Sequence, residues 1–143
     1  MKVITPVSEA DFAQYYNLRY EVLREPWSQP RGTERAPDDD TAIHAMLIDE
    51  TGKAAGVCRL HLETPEEGQL RFMAIREDLQ GKGLGRLLLE FLETKAQELG
   101  CKFITLQARE KAVSFYERHG YELVKKTHLL FNSIQHYQMQ KQL

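Results

Sequence analysis

Hydrophobic residues in the middle of the chain follow first one spacing and then another, which indicates a strand followed by a helix. Residues 70–75 (LRFMAI) are apolar enough to form a buried strand. From Leu84 onward, apolar residues recur every three or four positions as far as Gly100. That is the spacing of a helix with one buried face. Residues 80–86 (QGKGLGR) lie between the two elements and are predicted to open the helix.

The remaining pattern predicts three strands and a helix before this unit and further elements after it. Ser8 is a suitable N-cap for a helix rich in aromatic residues, and prolines make residues 24–40 a polar loop. A helix over residues 111–119 ends at Gly120. At 143 residues the chain, residues 1–143, is predicted to be a single domain. The predicted strands are residues 2–5, 42–49, 54–63, 70–75 and 103–109, then two strands within residues 121–143.

Residues 80–86 have the composition of a phosphate-binding loop. Glycine lets the backbone approach a ligand closely, and the first free N–H groups of a helix can bind an anion. A Walker loop needs Ser or Thr after its Gly-Lys pair, where this chain has Gly83. The dinucleotide fingerprint needs Gly where this chain has Arg86. A third pattern, Q/R-x-x-G-x-G/A after a strand, is complete in Gln80, Gly83 and Gly85.

A second motif follows the next predicted strand. Residues 112–121 match the pattern A-x-x-F-Y-x-x-x-G-Y. With these two motifs in this order, roughly the C-terminal half of the chain resembles the GNAT superfamily of N-acyltransferases. The order of predicted elements is also that of this superfamily. The resemblance therefore implies an α/β fold, in which a central mixed sheet of about seven strands is flanked by helices on both faces.

The resemblance further implies an enzyme that uses acetyl-CoA as its acyl-donor cosubstrate. Its expected reaction is direct transfer of an acetyl or other short acyl group to a primary amine of a small molecule. Two alternatives remain open: a non-catalytic module that binds or senses acyl-CoA, and a protein or peptide N-acetyltransferase. Family members hold the pantetheine like an added strand where two central strands splay apart. The implied CoA contacts are Met73, Ala74, Ile75, Gln80, Gly81, Lys82, Gly83, Leu84, Gly85 and Arg86.

Tyr116 matches the position of the tyrosine that serves many family members as general acid to the departing thiolate. A phenol can donate a proton as charge develops on sulfur without being ionised itself at neutral pH. Adjacent helix residues point about 100° apart, so Phe115 and Tyr116 cannot face the same way. We expect Phe115 to face the core and Tyr116 to face the cleft.

The usual general base of the family has no match in this chain. Gln69 and Gln107 stand at the two positions where family members carry a glutamate. A glutamine side chain cannot accept a proton at neutral pH. The base must therefore come from another residue, or the proton must leave through water.

Strand alternation suggests His61 and Glu63 as candidate catalytic bases, because they share one face of their strand with Arg59. A turn at residues 65–68 that pairs Leu62 with Leu70 would set His61 opposite Arg71 and Glu63 opposite Gln69. The ordinary pKa of histidine lies closer to neutral pH than that of glutamate, so histidine suits the role of base better. An exposed polar strand face without a catalytic task is the alternative.

Three further residues are predicted to contact the acceptor. Arg71 belongs to the same polar cluster, Trp27 lies in the irregular loop, and His136 lies on the last strand. Trp27 could instead pin the loop to the core, and His136 could instead be a hydrogen-bonded packing residue. The acidic run at residues 38–40 could attract a cationic amine or form a solvated loop.

Composition excludes several other classes of protein. The formal net charge of −2 gives no electrostatic basis for binding nucleic acid or an anionic membrane. Cys58 and Cys101 are expected to be buried, reduced thiols, and no ligand spacing predicts a metal. The chain has no apolar run long enough to cross a bilayer, and a cytoplasmic protein is expected. The expected partner is a small-molecule amine, with a homodimer left open.

Overall fold

A computed structural model describes all 143 residues. Seven strands form one sheet in the order β1-β2-β3-β4-β5-β7-β6. All neighbouring strands are antiparallel except β4 and β5, which are parallel, so the predicted mixed sheet is confirmed. The strands are β1 (Lys2–Ile4), β2 (Ile43–Ile48), β3 (Ala54–Leu62), β4 (Glu67–Ile75), β5 (Phe103–Arg109), β6 (Glu122–Leu130) and β7 (Ile134–Gln142); the helices are α1 (Glu9–Leu23), α2 (Gly85–Glu98) and α3 (Val113–Arg118).

Helix α1 covers one face of the sheet. It begins with a capping box in which the Asp11 N–H donates to the Ser8 hydroxyl and the Ser8 N–H donates to the Asp11 carboxylate. Its buried side chains Tyr15, Leu18 and Leu23 pack with sheet residues that include Met46, Val57 and Ala74. Ser8 thus caps the helix as the sequence predicts.

Helices α2 and α3 cover the opposite face and enclose the larger hydrophobic core. Leu88, Leu89 and Leu92 of α2 pack there with residues of the central strands, such as Leu60 and Leu106. Cys58 and Cys101 are buried and unpaired, which confirms the expectation for both thiols. None of the helices combines the length and the apolar character needed to cross a membrane.

The central strands separate in the middle of the sheet. β4 and β5 pair only from Glu67 opposite Phe103 to Leu70 opposite Leu106. Beyond that point β4 continues through residues 71–75 with no strand on this side. One edge of β4 is therefore free to form backbone hydrogen bonds with a bound chain.

A β-bulge in β4 lies beside this gap. Phe72 has a positive φ of 60°, and Phe72 and Met73 together stand opposite Cys58 of β3. A positive φ is unusual for a large side chain, and a bulge bends the strand and redirects its side chains. The bulge was not predicted from the sequence.

The register between β3 and β4 differs from the predicted one by two residues. The Thr64 hydroxyl accepts hydrogen bonds from the N–H groups of Glu66 and Glu67, which closes the turn at residues 64–67. As a result Leu62 pairs with Gly68 rather than with Leu70. An even shift leaves every side chain on its predicted face.

This register changes the neighbours of the candidate bases. His61 pairs with Gln69, and Arg71 pairs with Arg59. The Glu63 N–H donates to the Glu67 carbonyl at the end of the hairpin. The expected pairings of His61 with Arg71 and of Glu63 with Gln69 are therefore wrong.

Candidate active site

The segment that opens α2 presents a row of backbone N–H groups without partners. The five N–H groups from Gly81 to Gly85 donate no hydrogen bond within the chain, and the first that does, that of Arg86, donates to Gly83 O at 3.4 Å. They lie at the positive end of the α2 dipole. This segment, residues 81–85, can therefore bind an anion through its backbone alone.

The shape of this segment depends on its glycines and on Gln80. Gly81 and Gly83 have positive φ values of 79° and 75°, a conformation that favours glycine. Gln80 Nε2 donates to the carbonyl of Ile75 at 2.9 Å, which fastens the segment to the end of β4. A Cβ on Gly85 would stand 2.9 Å from Phe115 Cζ. Contact with Phe115 therefore requires glycine at this position even before any pyrophosphate is considered.

The basic side chains of Lys82, within the segment, and of Arg86, which follows it, point to solvent. Lys82 and Arg86 are both exposed. Arg86 forms an ion pair with Glu90 at 2.9 Å, one turn along α2. An exposed pair of this kind contributes little to stability, so Arg86 can leave Glu90 to meet an anion at small cost.

Tyr116 lies in the core cluster beside the gap between β4 and β5. It is 7% exposed, whereas Phe115 is only partly buried because it covers Gly85. Tyr116 rather than Phe115 is thus the ring buried in the core, so the expectation that Phe115 faces the core and Tyr116 faces the cleft is wrong. The Tyr116 hydroxyl forms no hydrogen bond within the chain, and it is not one of the fully enclosed polar atoms without a partner. Burial raises the pKa of Tyr116 above its usual value.

Comparison with known proteins identifies the family. A model of the acetyltransferase (GNAT) family matches residues 12–121. The chain belongs to this family. It is 26% identical over 141 residues, 99% of each chain, to the uncharacterized N-acetyltransferase YjcF of Bacillus subtilis.

Solved structures agree with this assignment. A structure described as an N-acetyltransferase from Lactobacillus plantarum has a TM-score of 0.87 and 26% identity, covering 99% of this chain and 97% of that one. An aminoglycoside 6′-N-acetyltransferase in complex with coenzyme A has a TM-score of 0.81 and 15% identity, with coverage of 99% and 97%. The protein is thus an acyl-CoA-dependent N-acetyltransferase, as the two motifs indicate.

In this acetyltransferase, His61 stands in a small polar cluster. Its Nδ1 lies 3.4 Å from Glu63 Oε1 and 3.8 Å from Asp38 Oδ2, and its Nε2 lies 3.4 Å from Thr41 Oγ1. His61 pairs with Gln69, one residue before the point where β4 leaves β5.

The same cluster offers ligand atoms for a metal. One atom each from Asp38, His61 and Glu63 lies within 4.8 Å of the others. Arg59 Nη2, however, donates to Asp38 Oδ2 at 3.0 Å. A guanidinium at this distance opposes a metal cation, so the donor set does not fit a metal well.

The two glutamines that replace the expected glutamates differ in their surroundings. Gln107 accepts a hydrogen bond from the Thr127 hydroxyl at 2.6 Å. The Gln69 side chain has no hydrogen bond within the chain. Neither can act as a base, as the sequence indicates.

A buried ion network lies between α1 and β3, and sequence reasoning missed it. Arg19 and Arg59 are both fully buried. Asp39 accepts hydrogen bonds from Arg19 at 2.9 Å and from Arg59 at 2.8 Å. The sequence left two roles open for the acidic run, a solvated loop or a site for a cationic amine. Both are wrong for Asp38 and Asp39, because buried arginines already pair with these carboxylates. Arg19 falls within the apolar stripe of α1, and that position was the available signal.

Arg71 of β4 and His136 of β7 lie on the sheet face opposite the larger core, and Trp27 lies in the turn that follows α1. The Arg71 side chain reaches solvent, and its guanidinium lies 4.5 Å from the Phe72 ring centre. Trp27 is stacked on the guanidinium of Arg109 at 4.5 Å. His136 pairs with Arg109 across β5 and β7.

His136 is more enclosed than an acceptor contact requires. It is buried, its Nδ1 lies 3.0 Å from the carbonyl oxygen of Ile134, and its ring stacks on that of His128 at 4.3 Å. Burial lowers its pKa. These contacts support the packing role of His136 over the acceptor role.

Proposed function

We propose that this acetyltransferase transfers an acetyl or other short acyl group from its CoA thioester, acetyl-CoA in the first place, to a primary amine of a small molecule. The observation that carries the proposal is the row of free N–H groups from Gly81 to Gly85 directly after the free edge of β4. A pyrophosphate fits the N–H groups. A pantetheine chain can form backbone hydrogen bonds along residues 73–75.

The reaction needs one nucleophilic attack and two proton movements. The amine nitrogen attacks the thioester carbon, a C–N bond forms and the C–S bond breaks. The amine gives up a proton to a base, and the sulfur leaves as a thiolate that takes up a proton. A free N–H group on the edge of β4 can stabilise the negative charge that develops on the thioester oxygen.

Tyr116 supports departure of the thiolate as a hydrogen-bond donor. Because burial raises its pKa, the phenol stays neutral and keeps its proton for donation. A thiol has a pKa of about 8.5, so the phenol is the weaker acid and complete transfer to sulfur is uphill. A hydrogen bond that strengthens as the C–S bond breaks is the role that this environment supports.

His61 is the proposed base, directly or through a water molecule. The carboxylates of Asp38 and Glu63 lie on its Nδ1 side. Its Nε2, which lies 3.4 Å from the Thr41 hydroxyl oxygen, is the atom proposed to accept the proton. Glu63 lies at the hairpin end, farther from the gap than His61. We therefore assign Glu63 a supporting role.

A small acceptor is favoured by the closure of the site at one end. The rings of Trp27 and Phe131 lie 6.4 Å apart, so the loop after α1 meets the tip of the β6–β7 hairpin. A peptide acceptor would need an open path at this place. One of the structural relatives is named for an aminoglycoside, which is also a small amine.

Release of free thiol from acetyl-CoA tests the proposal. The assay compares primary amines, polyamines, amino acids and peptides with free N-termini, and mass spectrometry identifies the acylated product. We expect thiol release that depends on a small amine. Release only with peptides would favour the protein acceptor, and no release above the rate without amine would contradict the proposed activity.

A further inference from the structure

Three arginines lie close together where β4 and β5 separate, and no carboxylate lies among them. Arg24 follows the last residue of α1, Arg71 is the first β4 residue beyond the pairing with β5, and Arg109 is the last residue of β5. None of the three forms an ion pair within the chain. Like charges this close repel one another in the partly desolvated interior of a cleft.

Direct contacts hold two of these guanidinium groups together. Arg24 Nη1 donates to the carbonyl of Leu23 at 2.9 Å, and Arg109 Nη2 donates to the same oxygen at 3.2 Å. Arg24 Nε also donates to the carbonyl of Thr33 at 3.0 Å. Neutral backbone oxygens therefore fix both groups in place without neutralising them.

Aromatic rings complete the enclosure of the cluster. The Arg24 guanidinium lies 5.7 Å from the ring centre of Phe72 and 5.5 Å from that of Phe131. Both phenylalanines have positive φ values, 60° and 53°, which cost free energy for residues of this size. The fold thus uses strained positions to place rings against the arginines.

The neighbouring carboxylates are already engaged. Asp38 and Asp39 bind Arg59 and Arg19. Glu34 is buried; it accepts a hydrogen bond from the Gly32 N–H and lies 3.6 Å from Arg35. The positive charge of Arg24, Arg71 and Arg109 is consequently unmatched within the chain.

The pKa values reflect this surplus of positive charge. Burial and then Arg71 lower the pKa of Arg24. Burial and then Arg24 lower the pKa of Arg109 to about 10. Desolvation by the surrounding protein, and then the charge of Arg59, lower the pKa of Arg71. The Arg71 side chain nevertheless reaches solvent.

We infer that the acceptor of this acetyltransferase carries an anionic group, a carboxylate or a phosphate, which binds between Arg71, Arg24 and Arg109 while its amine faces the thioester. This inference rests on the proposed function for the role of the amine, and the charge cluster alone supports the anionic group. Guanidinium groups bind both kinds of anion through paired N–H donors.

Two matched pairs of ligands test the inference and separate the two anions. O-phosphoethanolamine is compared with ethanolamine, and β-alanine with β-alaninamide. Calorimetry measures the binding of each to the protein saturated with CoA, and thiol release measures turnover with acetyl-CoA. We expect the member that carries the anionic group, in at least one pair, to bind at least tenfold more tightly than the counterpart that lacks it, in line with the strength of hydrogen bonds to charged groups.

Arg71→Gln is the informative variant, because the side chain has no hydrogen bond within the chain and its loss leaves the fold intact. It should weaken binding of the anionic amine about tenfold or more, while Arg71→Lys should retain most of the affinity. Arg118→Gln removes one exposed charge of α3 and serves as the control. CoA affinity should be the same in all of these variants.

Each outcome has a definite meaning. Equal binding of the two members in both pairs overturns the inference, as does an Arg71→Gln variant that weakens CoA binding instead. If the anionic amine binds and depends on Arg71 but no thiol is released, the anion site stands and the proposed activity fails. If the amines without an anionic group are acetylated and those with one are not bound, the activity stands and the inference fails.

Discussion

The ring of Phe115 lies directly against Gly85, so close that a Cβ on Gly85 would stand 2.9 Å from Phe115 Cζ. Gly85 belongs to the phosphate-loop motif and Phe115 to the second family motif. The two sequence motifs are therefore parts of one packed unit. The start of α2, and with it the row of free N–H groups, is supported from behind by α3.

Gly85→Ala should destabilise the protein by about 1–3 kcal/mol, as inserting a methyl group into a packed site typically does. It should also weaken CoA binding, because the start of α2 must shift. Urea unfolding and calorimetry measure the two effects. Gly68→Ala is the control, since its Cβ would stand 2.8 Å from Leu60 Cδ1, away from residues 81–85. Unchanged CoA affinity in Gly85→Ala would contradict the coupling.

Gly83→Val should abolish binding of acetyl-CoA. Acetyl-CoA at about 100 times its dissociation constant should stabilise the wild type by roughly 2.7 kcal/mol. Valine strains a backbone with φ of 75° and disturbs the donors at this position. Gly52→Val is a matched control, because Gly52 has φ of 83° and open space around it in the β2–β3 turn. A ligand-induced rise in Tm that Gly83→Val retains would remove the assignment of this segment to CoA.

Tyr116→Phe should lower kcat by roughly 10²-fold, because the hydrogen bond that strengthens on the departing sulfur is lost. The thermal midpoint and CoA affinity should change little, because the hydroxyl has no partner within the chain. Tyr121→Phe is the matched control: its hydroxyl donates to Glu93 Oε2 at 2.8 Å, so the loss should lower stability and leave kcat near the wild-type value. Equal kcat for Tyr116→Phe and wild type, with chemistry rate-limiting, would make Tyr116 a packing residue.

Asp39→Asn should destabilise the fold by about 3–5 kcal/mol, because it leaves the buried guanidinium groups of Arg19 and Arg59 without their shared carboxylate. Asp40→Asn, one residue further and exposed, is the control. Chemical denaturation at pH 7 compares the two. An effect of Asp39→Asn as small as that of Asp40→Asn would show that the network does not stabilise the fold.

The same network predicts how the free energy of unfolding changes at acid pH. Hydrogen bonds from Arg59 hold the pKa of Asp38 at about 2. At Asp39 burial acts to raise the pKa, but hydrogen bonds from the Ala36 N–H and the charge of Arg19 lower it overall. Unfolded aspartates have pKa values of about 3.9. The free energy of unfolding should therefore hold above pH 4 and fall between about pH 4 and pH 2, less steeply in Asp39→Asn.

Sequence patterns predict most of the fold and the position of the glycine-rich segment that opens α2, because both depend on local rules. The helix cap at Ser8 and the period of α2 are set by residues a few positions apart. The acceptor end depends instead on contacts between distant segments. No residue close to Arg24 in the sequence predicts that Arg24 and Arg109 donate to the same carbonyl, that of Leu23. The bulge at Phe72 needs a backbone conformation that this residue type disfavours, so propensity argues against it.

His61→Ala should reduce kcat/KM and remove the rise of kcat/KM with pH that the free base produces. The reason is that His61 is the proposed base, with glutamine at both usual base positions. Glu63→Gln should have the smaller effect, because Glu63 lies at the hairpin end. The acceptor amine also ionises, so the profile is measured with two amines of different pKa. If the rise of kcat/KM with pH tracks the pKa of the amine and persists in His61→Ala, the proton leaves through water. His61 would then only support Asp38, and the rate would depend on Tyr116 and on the positioning of the amine.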